Sequence, residues 1–444
     1  MKTKSYFLVS LGCAKNSVDS QSMATLLEED GFSMMERPSQ ARFLIVNTCG
    51  FIASAREESI QTLQELAASK KPGQLLIATG CLPDRIGHQI ATMVPGIDGV
   101  LSTRRWMDIL DLVQRLRPNA PSPIYHIPEG ATVGTDEQDV LRAAIQGTSA
   151  YLKIADGCRR PCAFCSIPLI KGTAVSRPME VILEEARILT DMGMQELILI
   201  AQDTTDYGSD LGMKDGLAQL LEQLSLQVPD LPWIRVMYAY PGSVSERLID
   251  VMATQPNILH YLDIPLQHAH PDTLRRMRRP ANMDWVRETI RKMRTSMPDL
   301  AVRTTFIVGY PGETDAEFDT LLDFITEMQF DKVGTFTFSF EPGTTSEPLG
   351  DPVPQEEKEQ RREQLMLKQE AISLHRNQSL VGSVLPVLIE GQSDGLSIGR
   401  SYRDAPEIDG LVLVEGDLPE GELVPVQITG ALVHDLTGIP ARVP

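Results

Sequence analysis

Three cysteines in one short loop carry the most chemistry in this sequence. The stretch Asp156-Gly-Cys-Arg-Arg-Pro-Cys-Ala-Phe-Cys-Ser166 sets Cys158, Cys162 and Cys165 in C-x-x-x-C-x-x-C spacing, behind a strand-like run at 151–155. Thiolates bind zinc, and they bind iron–sulfur clusters. A structural zinc site is closed by four ligands, yet the next histidine after Cys165 is His260. Three cysteines on a cubane cluster would leave one iron without a protein ligand, open to a small molecule.

The other three cysteines fall at equivalent places in a repeating scheme. Apolar runs at 6–9, 43–46 and 75–78 are followed by Cys13, Cys49 and Cys81, and then by helical patterns at 17–29, 53–68 and 84–93. A further run at 99–101 precedes a helix at 106–116. Continuous apolar strands between helices predict an open parallel α/β sheet covered on both faces. Ligands of such sheets bind beyond the carboxyl ends of the strands, so Cys13, Cys49 and Cys81 can converge on a metal centre. A buried cysteine acting as a small hydrophobe explains one such placement better than three. Met1-Lys-Thr-Lys ahead of Leu11-Gly-Cys13 has the outline of a lipoprotein signal. The apolar run between them is shorter than the ~7–15-residue core such a signal needs, and it reads as a first strand.

Positioning elements continue along the chain. Pro118, Pro121, Pro123 and Pro128, the stretch 130–134 with its two glycines, and acidic 136–139 predict an irregular connector over 117–149. Six strands are expected at 151–155, 196–201, 234–239, 261–266, 302–308 and 333–338, with helices at 178–192, 217–226, 245–254, 285–296 and 315–328. A (β/α)6 count is too small for a complete eight-stranded barrel, but right-handed crossovers would curve the sheet, with active residues at its carboxyl ends. Gln202, Asp263, Gln267, His268, Arg303 and the turn at 309–313 lie in or near those strand ends. His268 and His270 read as loop polar groups rather than metal ligands. The run Leu274-Arg-Arg-Met-Arg-Arg279 could meet phosphate or an acidic partner, or be a solvated helix face. A helix is expected over 354–377. After it, short strands at 384–389, 396–398, 411–414, 424–428 and 432–433 predict a small antiparallel β-barrel.

Composition bounds the function. At 444 residues the chain is expected to hold several domains: 1–140, 145–375 and 376–444. A net charge of −19 argues against general nucleic-acid binding. No apolar run approaches the ~20 residues a membrane span needs. Free thiolates suit a reducing cytoplasm.

The loop holding Cys158, Cys162 and Cys165, with Phe164 before the last cysteine, resembles the signature of the radical S-adenosylmethionine (SAM) superfamily. That resemblance implies a 4Fe–4S cluster whose open iron is chelated by SAM, and reductive cleavage of SAM to a 5′-deoxyadenosyl radical. The stretches Ser10-Leu-Gly-Cys-Ala-Lys-Asn16, Asn47-Thr-Cys-Gly-Phe51 and Thr79-Gly-Cys-Leu82 resemble the methylthiotransferases of that superfamily. The resemblance implies a second 4Fe–4S cluster on Cys13, Cys49 and Cys81, a central partial (β/α)6 barrel, a terminal TRAM barrel, and replacement of C–H by C–S–CH3. In it, one SAM methylates a sulfur associated with the first cluster, and a second yields the radical that abstracts substrate hydrogen. Phe164, Gln202, Arg303, Ile307 and Gly309 are the SAM contacts it implies, and a protein electron donor is expected.

Two branches compete. One modifies adenosine in tRNA; the other modifies an aspartate β-carbon in protein twelve of the small ribosomal subunit. From Leu380 onward ten acids face Arg400, Arg403 and Arg442, a net −7 that would repel RNA and attract a basic ribosomal protein. The stretches 10–16, 156–172 and 403–410 resemble the ribosomal-protein branch. A non-catalytic iron–sulfur electron carrier is the competing class; it needs neither SAM contacts nor a terminal barrel.

Overall fold

The computed structural model describes residues 4–118, 123–130, 132–134 and 139–441. Met1, Pro121, Ala131, Asp136, Glu137, Gln138 and Arg442, which entered the expectations above, lie outside the described residues.

The first sheet forms from β1 (Ser5–Ser10), β2 (Ser33–Met34), β3 (Phe43–Thr48), β4 (Leu75–Gly80), β5 (Gly99–Leu101) and β6 (Ile124–His126), paired in the order β2-β1-β3-β4-β5-β6 and parallel throughout. Every residue of β3 and β4 is buried, as strands covered on both faces require. β2 and β6 join the four expected strands. They are too short to show a period, and β6 lies inside the stretch that composition marks as irregular.

The second sheet begins earlier than its expected boundary. β7 (Ala143–Gln146) turns back as an antiparallel hairpin into β8 (Ser149–Lys153), so the chain leaves the first sheet before residue 145. β9 (Ala155–Asp156) and β10 (Val175–Ser176) form a short antiparallel ribbon that brackets the cysteine loop. β11 (Glu196–Ile200), β12 (Trp233–Val236), β13 (Ile258–Asp263), β14 (Ala301–Val308) and β15 (Lys332–Thr337) then pair in parallel, giving the order β15-β14-β13-β12-β11-β8-β7. This is the expected six-stranded parallel sheet with β7 added at its edge.

Period-two alternation divides this sheet into two faces. Ala150, Leu152, Leu197, Leu199, Ile234 and Val236 pack outward in one core with helices such as Met179–Asp191 and Gly216–Gln227. Tyr151, Ile198, Ile200, Leu259, Tyr261 and Ala301 point inward, where they meet Val18 of α1 (Ala14–Glu29) and Leu388 and Ala405 of the terminal barrel. The inner face of the partial barrel is therefore sealed by the units before and after it.

The terminal barrel contains β16 (Val384–Ser393), β17 (Leu396–Ser401), β18 (Val412–Glu415), β19 (Leu423–Ala431) and β20 (Leu436–Pro440), closed in the order β16-β17-β18-β20-β19. Two expectations are corrected. The β18–β20 pair is parallel, so the barrel is not wholly antiparallel. The fifth strand is β20, not 432–433: the Leu432 and Val433 carbonyls accept from Asn377 Nδ2 at 3.0 and 3.2 Å, and Leu432 N donates to Asp435 O in the turn before it.

The barrel's loop 401–410 also plugs the sheet at its amino-terminal end. Glu196 accepts from Arg235 and from Arg400, each at 2.7 Å, with all three side chains buried. The two guanidinium groups more than offset the burial that would raise the Glu196 carboxyl, and hold it at about 2. Arg403 pairs with Asp331, Lys332 with Asp404, and Tyr261 Oη donates to Asp409 at 2.7 Å.

Candidate functional site

Cys13 follows β1 as the N-cap of α1, Cys49 follows β3, and Cys81 follows β4. All three stand at carboxyl ends of neighbouring strands. Small residues let their loops touch: a Cβ on Gly12 would stand 3.2 Å from Cys49 Sγ, and one on Gly50 2.8 Å from the Cys81 carbonyl. Gly80 combines φ +89° with a Cβ position 2.3 Å from Asn47 Oδ1, so only glycine fits. Asn16 ties the loops together by donating to Leu11 O at 2.9 Å and Thr48 O at 3.0 Å. Ser59 Oγ accepts from Cys49 N and donates to Cys49 O, both at 3.0 Å.

The second trio sits on the loop bracketed by β9 and β10. Gly157, with φ +75°, lets the chain pass where a Cβ would lie 2.0 Å from Thr173 O. Cys158 N donates to Gly172 O at 3.0 Å, and Cys165 N to Cys162 O at 3.2 Å. Arg279 Nη1 reaches Cys162 Sγ at 3.4 Å, and the Tyr240 ring lies between the Arg160 and Arg279 guanidinium groups at 4.2 and 4.5 Å. Burial pushes the Cys158 thiol up to about 11 and Cys165 to about 12, and it raises Cys49 and Cys81 as well. A cationic metal core beside these sulfurs would reverse that preference.

The donor sets fit clusters better than single ions. Sulfurs of a zinc tetrahedron stand roughly 3.8 Å apart, given Zn–S bonds near 2.3 Å. Among the described residues, the His, Cys and carboxylate group whose ligand atoms lie within 4.8 Å of one another is His270, Asp272 and Glu317, not either cysteine trio. Glu317 there is already bound by Arg276 at 2.7 Å and closes the cap of its own helix.

The two cysteine-bearing loops are in contact. Ser166 Oγ, next to Cys165, donates to Phe51 O, two residues past Cys49, at 3.0 Å. Arg104 donates to Ile170 O and Leu169 O at 2.7 and 2.8 Å, and Arg56 and Arg85 both grip Glu341. Below this contact lies a buried ionic network that the sequence reading did not single out. Asp19 of α1 accepts from Arg142 and Lys153 at 2.5 Å and from Lys171 at 3.0 Å; Lys153 and Lys171 each also reach Asp156 at 3.2 Å. Burial alone would raise both carboxyls, but the surrounding cations hold Asp19 far below the ordinary range and Asp156 at about 2. The available signal was Lys153, a charge on the inward side of an apolar strand.

Gln202 donates to Asp156 Oδ1 at 3.0 Å, while its own Oε1 is buried and has no partner. Phe164 and Ile307 pack beside Met277, Tyr310 and Phe338 next to the cysteine loop. Arg303 is held by Asp263 at 2.9 Å and by Asp409 at 3.4 Å. The space beyond Gly309 Cα is filled by Lys358, whose Cγ would lie 2.3 Å from an added Cβ. His268 is buried, accepts from His270 N at 2.9 Å, and is pushed down to about 3 by burial. The basic run 274–279 forms no single face. Arg275 pairs with Asp272, Arg276 with Glu317, and Arg279 turns in to Cys162 and Tyr240. Two of the barrel acids expected to dock a partner, Asp404 and Asp409, are buried in the clamp with Lys332, Tyr261 and Arg303.

Residues 152–325 match the Radical SAM superfamily, residues 5–102 a family described as Uncharacterized protein family UPF0004, and residues 381–440 the TRAM domain. The chain is 50% identical over 450 residues to the ribosomal protein uS12 methylthiotransferase RimO of Chloroflexus aurantiacus, covering 98% of this chain and 99% of that one. It is 43% identical over 440 residues to the RimO of Synechocystis sp., covering 97% and 96%. Among solved structures it is similar to the radical S-adenosylmethionine methyltransferase TsrM of Kitasatospora setae with tryptophan substrate and SAM analog bound. The TM-score there is 0.55 at 13% identity, over 92% of this chain and 80% of that one. At that identity the likeness concerns the fold.

Proposed function

The chain belongs to the RimO family of ribosomal protein uS12 methylthiotransferases, and from that premise we propose how its own residues divide the work. The enzyme is a radical SAM methylthiotransferase acting on the β-carbon of an aspartate in uS12. Its cofactors, two 4Fe–4S clusters and SAM, supply when bound the radical and sulfur chemistry that no side chain provides. The relatives favour neither the tRNA-adenosine alternative nor a non-catalytic carrier.

In this reading Cys158, Cys162 and Cys165 hold the centre that meets SAM, and Cys13, Cys49 and Cys81 hold the other. The observation that carries it is the contact between the two cysteine-bearing loops, joined by the Ser166–Phe51 hydrogen bond. The unpartnered Oε1 of Gln202 supports a contact to the SAM amino group, and the placement of Phe164 and Ile307 supports an apolar wall beside it. For Arg303 and Gly309 the support is their place on and after β14, since both are already engaged by neighbours. The buried network around Asp19 fixes one cysteine unit against the other, and the close packing keeps stray hydrogen donors out. Electrons arrive from a separate donor protein, and the reaction belongs to the cytoplasm, where ribosomal proteins are found. No described helix is long and apolar enough to cross a membrane.

The test supplies the reconstituted enzyme with uS12 and with tRNA, and measures both by mass spectrometry. The expected product is uS12 carrying SCH3 for H on one aspartate, with tRNA unchanged. Methylthioadenosine in tRNA with unmodified uS12 overturns the assignment.

Docking in this reading uses the exposed acids Glu407, Glu415 and Asp417 rather than Asp404 or Asp409. Reversing the three to Lys is expected to raise KM for uS12 about tenfold and to weaken its salt dependence. An unchanged KM at low salt would remove the barrel from the docking surface.

A further inference from the structure

Lys15 stands two residues after Cys13, within electrostatic reach of Asp156, which is two residues before Cys158, and has no carboxylate of its own. Its Nζ stands 3.1 Å from the centre of the Tyr238 ring, and it makes no ion pair among the described residues. Asp263 and Asp156 lie near enough to favour its charge, and Lys171 near enough to oppose it. The carboxylates near it are already taken. Asp263 accepts from Arg303 and from Tyr238 N, Asp156 from Lys153, Lys171 and Gln202, and Asp19 from Arg142, Lys153 and Lys171. Tyr238 itself holds φ +63°, an uncommon conformation for a non-glycine residue and one that collects at functional sites. Lys15 is half-buried as a residue, and the burial of its amine pulls its pKa below the ordinary lysine value.

A cation kept apart from every local carboxylate is costly to enclose unless an anion arrives. We propose that Lys15 receives the carboxylate of the substrate aspartate and so sets the adjacent β-carbon between the two centres. This rests on the reading of uS12 aspartate as substrate. The aromatic face of Tyr238 keeps the ammonium in place while the site is empty, as cation–π contacts do. The neighbouring Asn16 faces the other way, toward Cys81 at 3.7 Å, so the two residues after Cys13–Ala14 separate scaffold from substrate.

The test uses full-length enzyme and two uS12 peptides, one with the target aspartate and one with asparagine in its place. Wild type is expected to bind the aspartate peptide more tightly by roughly 10- to 100-fold, the range of a hydrogen bond to a charged group. Lys15→Met, which keeps the stem and removes the charge, is expected to lose that discrimination while keeping its iron content; Lys15→Arg is expected to restore part of it. Equal discrimination in Lys15→Met overturns the proposal. So does loss of iron from Lys15→Met with discrimination intact, because Lys15 would then serve the first centre. If wild type fails to modify the aspartate peptide at all, the substrate assignment is what fails, not the role of Lys15 alone.

Discussion

Cys158→Ala is expected to reduce reductive cleavage of SAM to background, whereas joint replacement of Cys13, Cys49 and Cys81 by Ala is expected to leave cleavage and abolish methylthio transfer. The separation follows from the geometry: the trios sit on different sheets and meet through backbone and Ser166, not through a shared thiol. Anaerobically reconstituted wild type is expected to hold about eight irons per chain, and either variant about four. The measurement is iron content beside 5′-deoxyadenosine and methylthiolated uS12. Methylthio transfer at the wild-type rate in the triple variant would remove Cys13, Cys49 and Cys81 from the reaction. Stoichiometric zinc without iron would remove the cluster reading altogether.

Asp19→Asn carries the largest expected cost in stability. It leaves Arg142, Lys153 and Lys171 buried around Asp156 as the one remaining carboxylate of the network. Breaking a buried ion pair by removing one partner costs about 3–5 kcal/mol, which would lower the first thermal transition by roughly 10 °C. Adding Lys153→Met should recover part of the loss by removing one stranded charge. Acid should act on the same network. Asp156 falls from 3.8 to about 2 on folding, so its contribution is present at neutral pH and is lost as pH drops through that interval. A variant that melts like wild type would show that water, not Asp19, balances these cations.

The sequence exposed what repeats and hid what happens once. Six parallel strands of the central sheet and four of the first were legible as apolar runs set between helical patterns. The six cysteines were legible because their spacing is chemical. β2, β6 and β20 were not: two are too short for a period, and the last contains Gly438 and Pro440, which break it. Asp19 and Lys171 were invisible for another reason, and Lys153 left only the trace of a charge in an apolar strand. Their meaning lies in meeting across a gap of about 150 residues, and a lone charge in a helix or strand reads as surface until its partner is known. Arg403-Asp-Ala-Pro-Glu-Ile-Asp-Gly410 shows the converse. Its charges resembled a docking surface, yet Arg403, Asp404 and Asp409 point inward to Asp331, Lys332 and Tyr261.

The plug formed by loop 401–410 has a consequence for the order of events on the ribosome. Glu196 and Arg235 are synthesised long before Arg400, which lies 204 residues beyond Glu196. Chains fold as they emerge, amino-terminal units first, so the central sheet, complete at Thr337, waits about 60 residues for its inner mouth to be covered. α1 is already present to cover part of that face, while Leu388 and Ala405 are the last to arrive. The final tenth of the polypeptide thus acts as a completion check: a nascent chain that stalls before it carries both cysteine loops but has no lid under them.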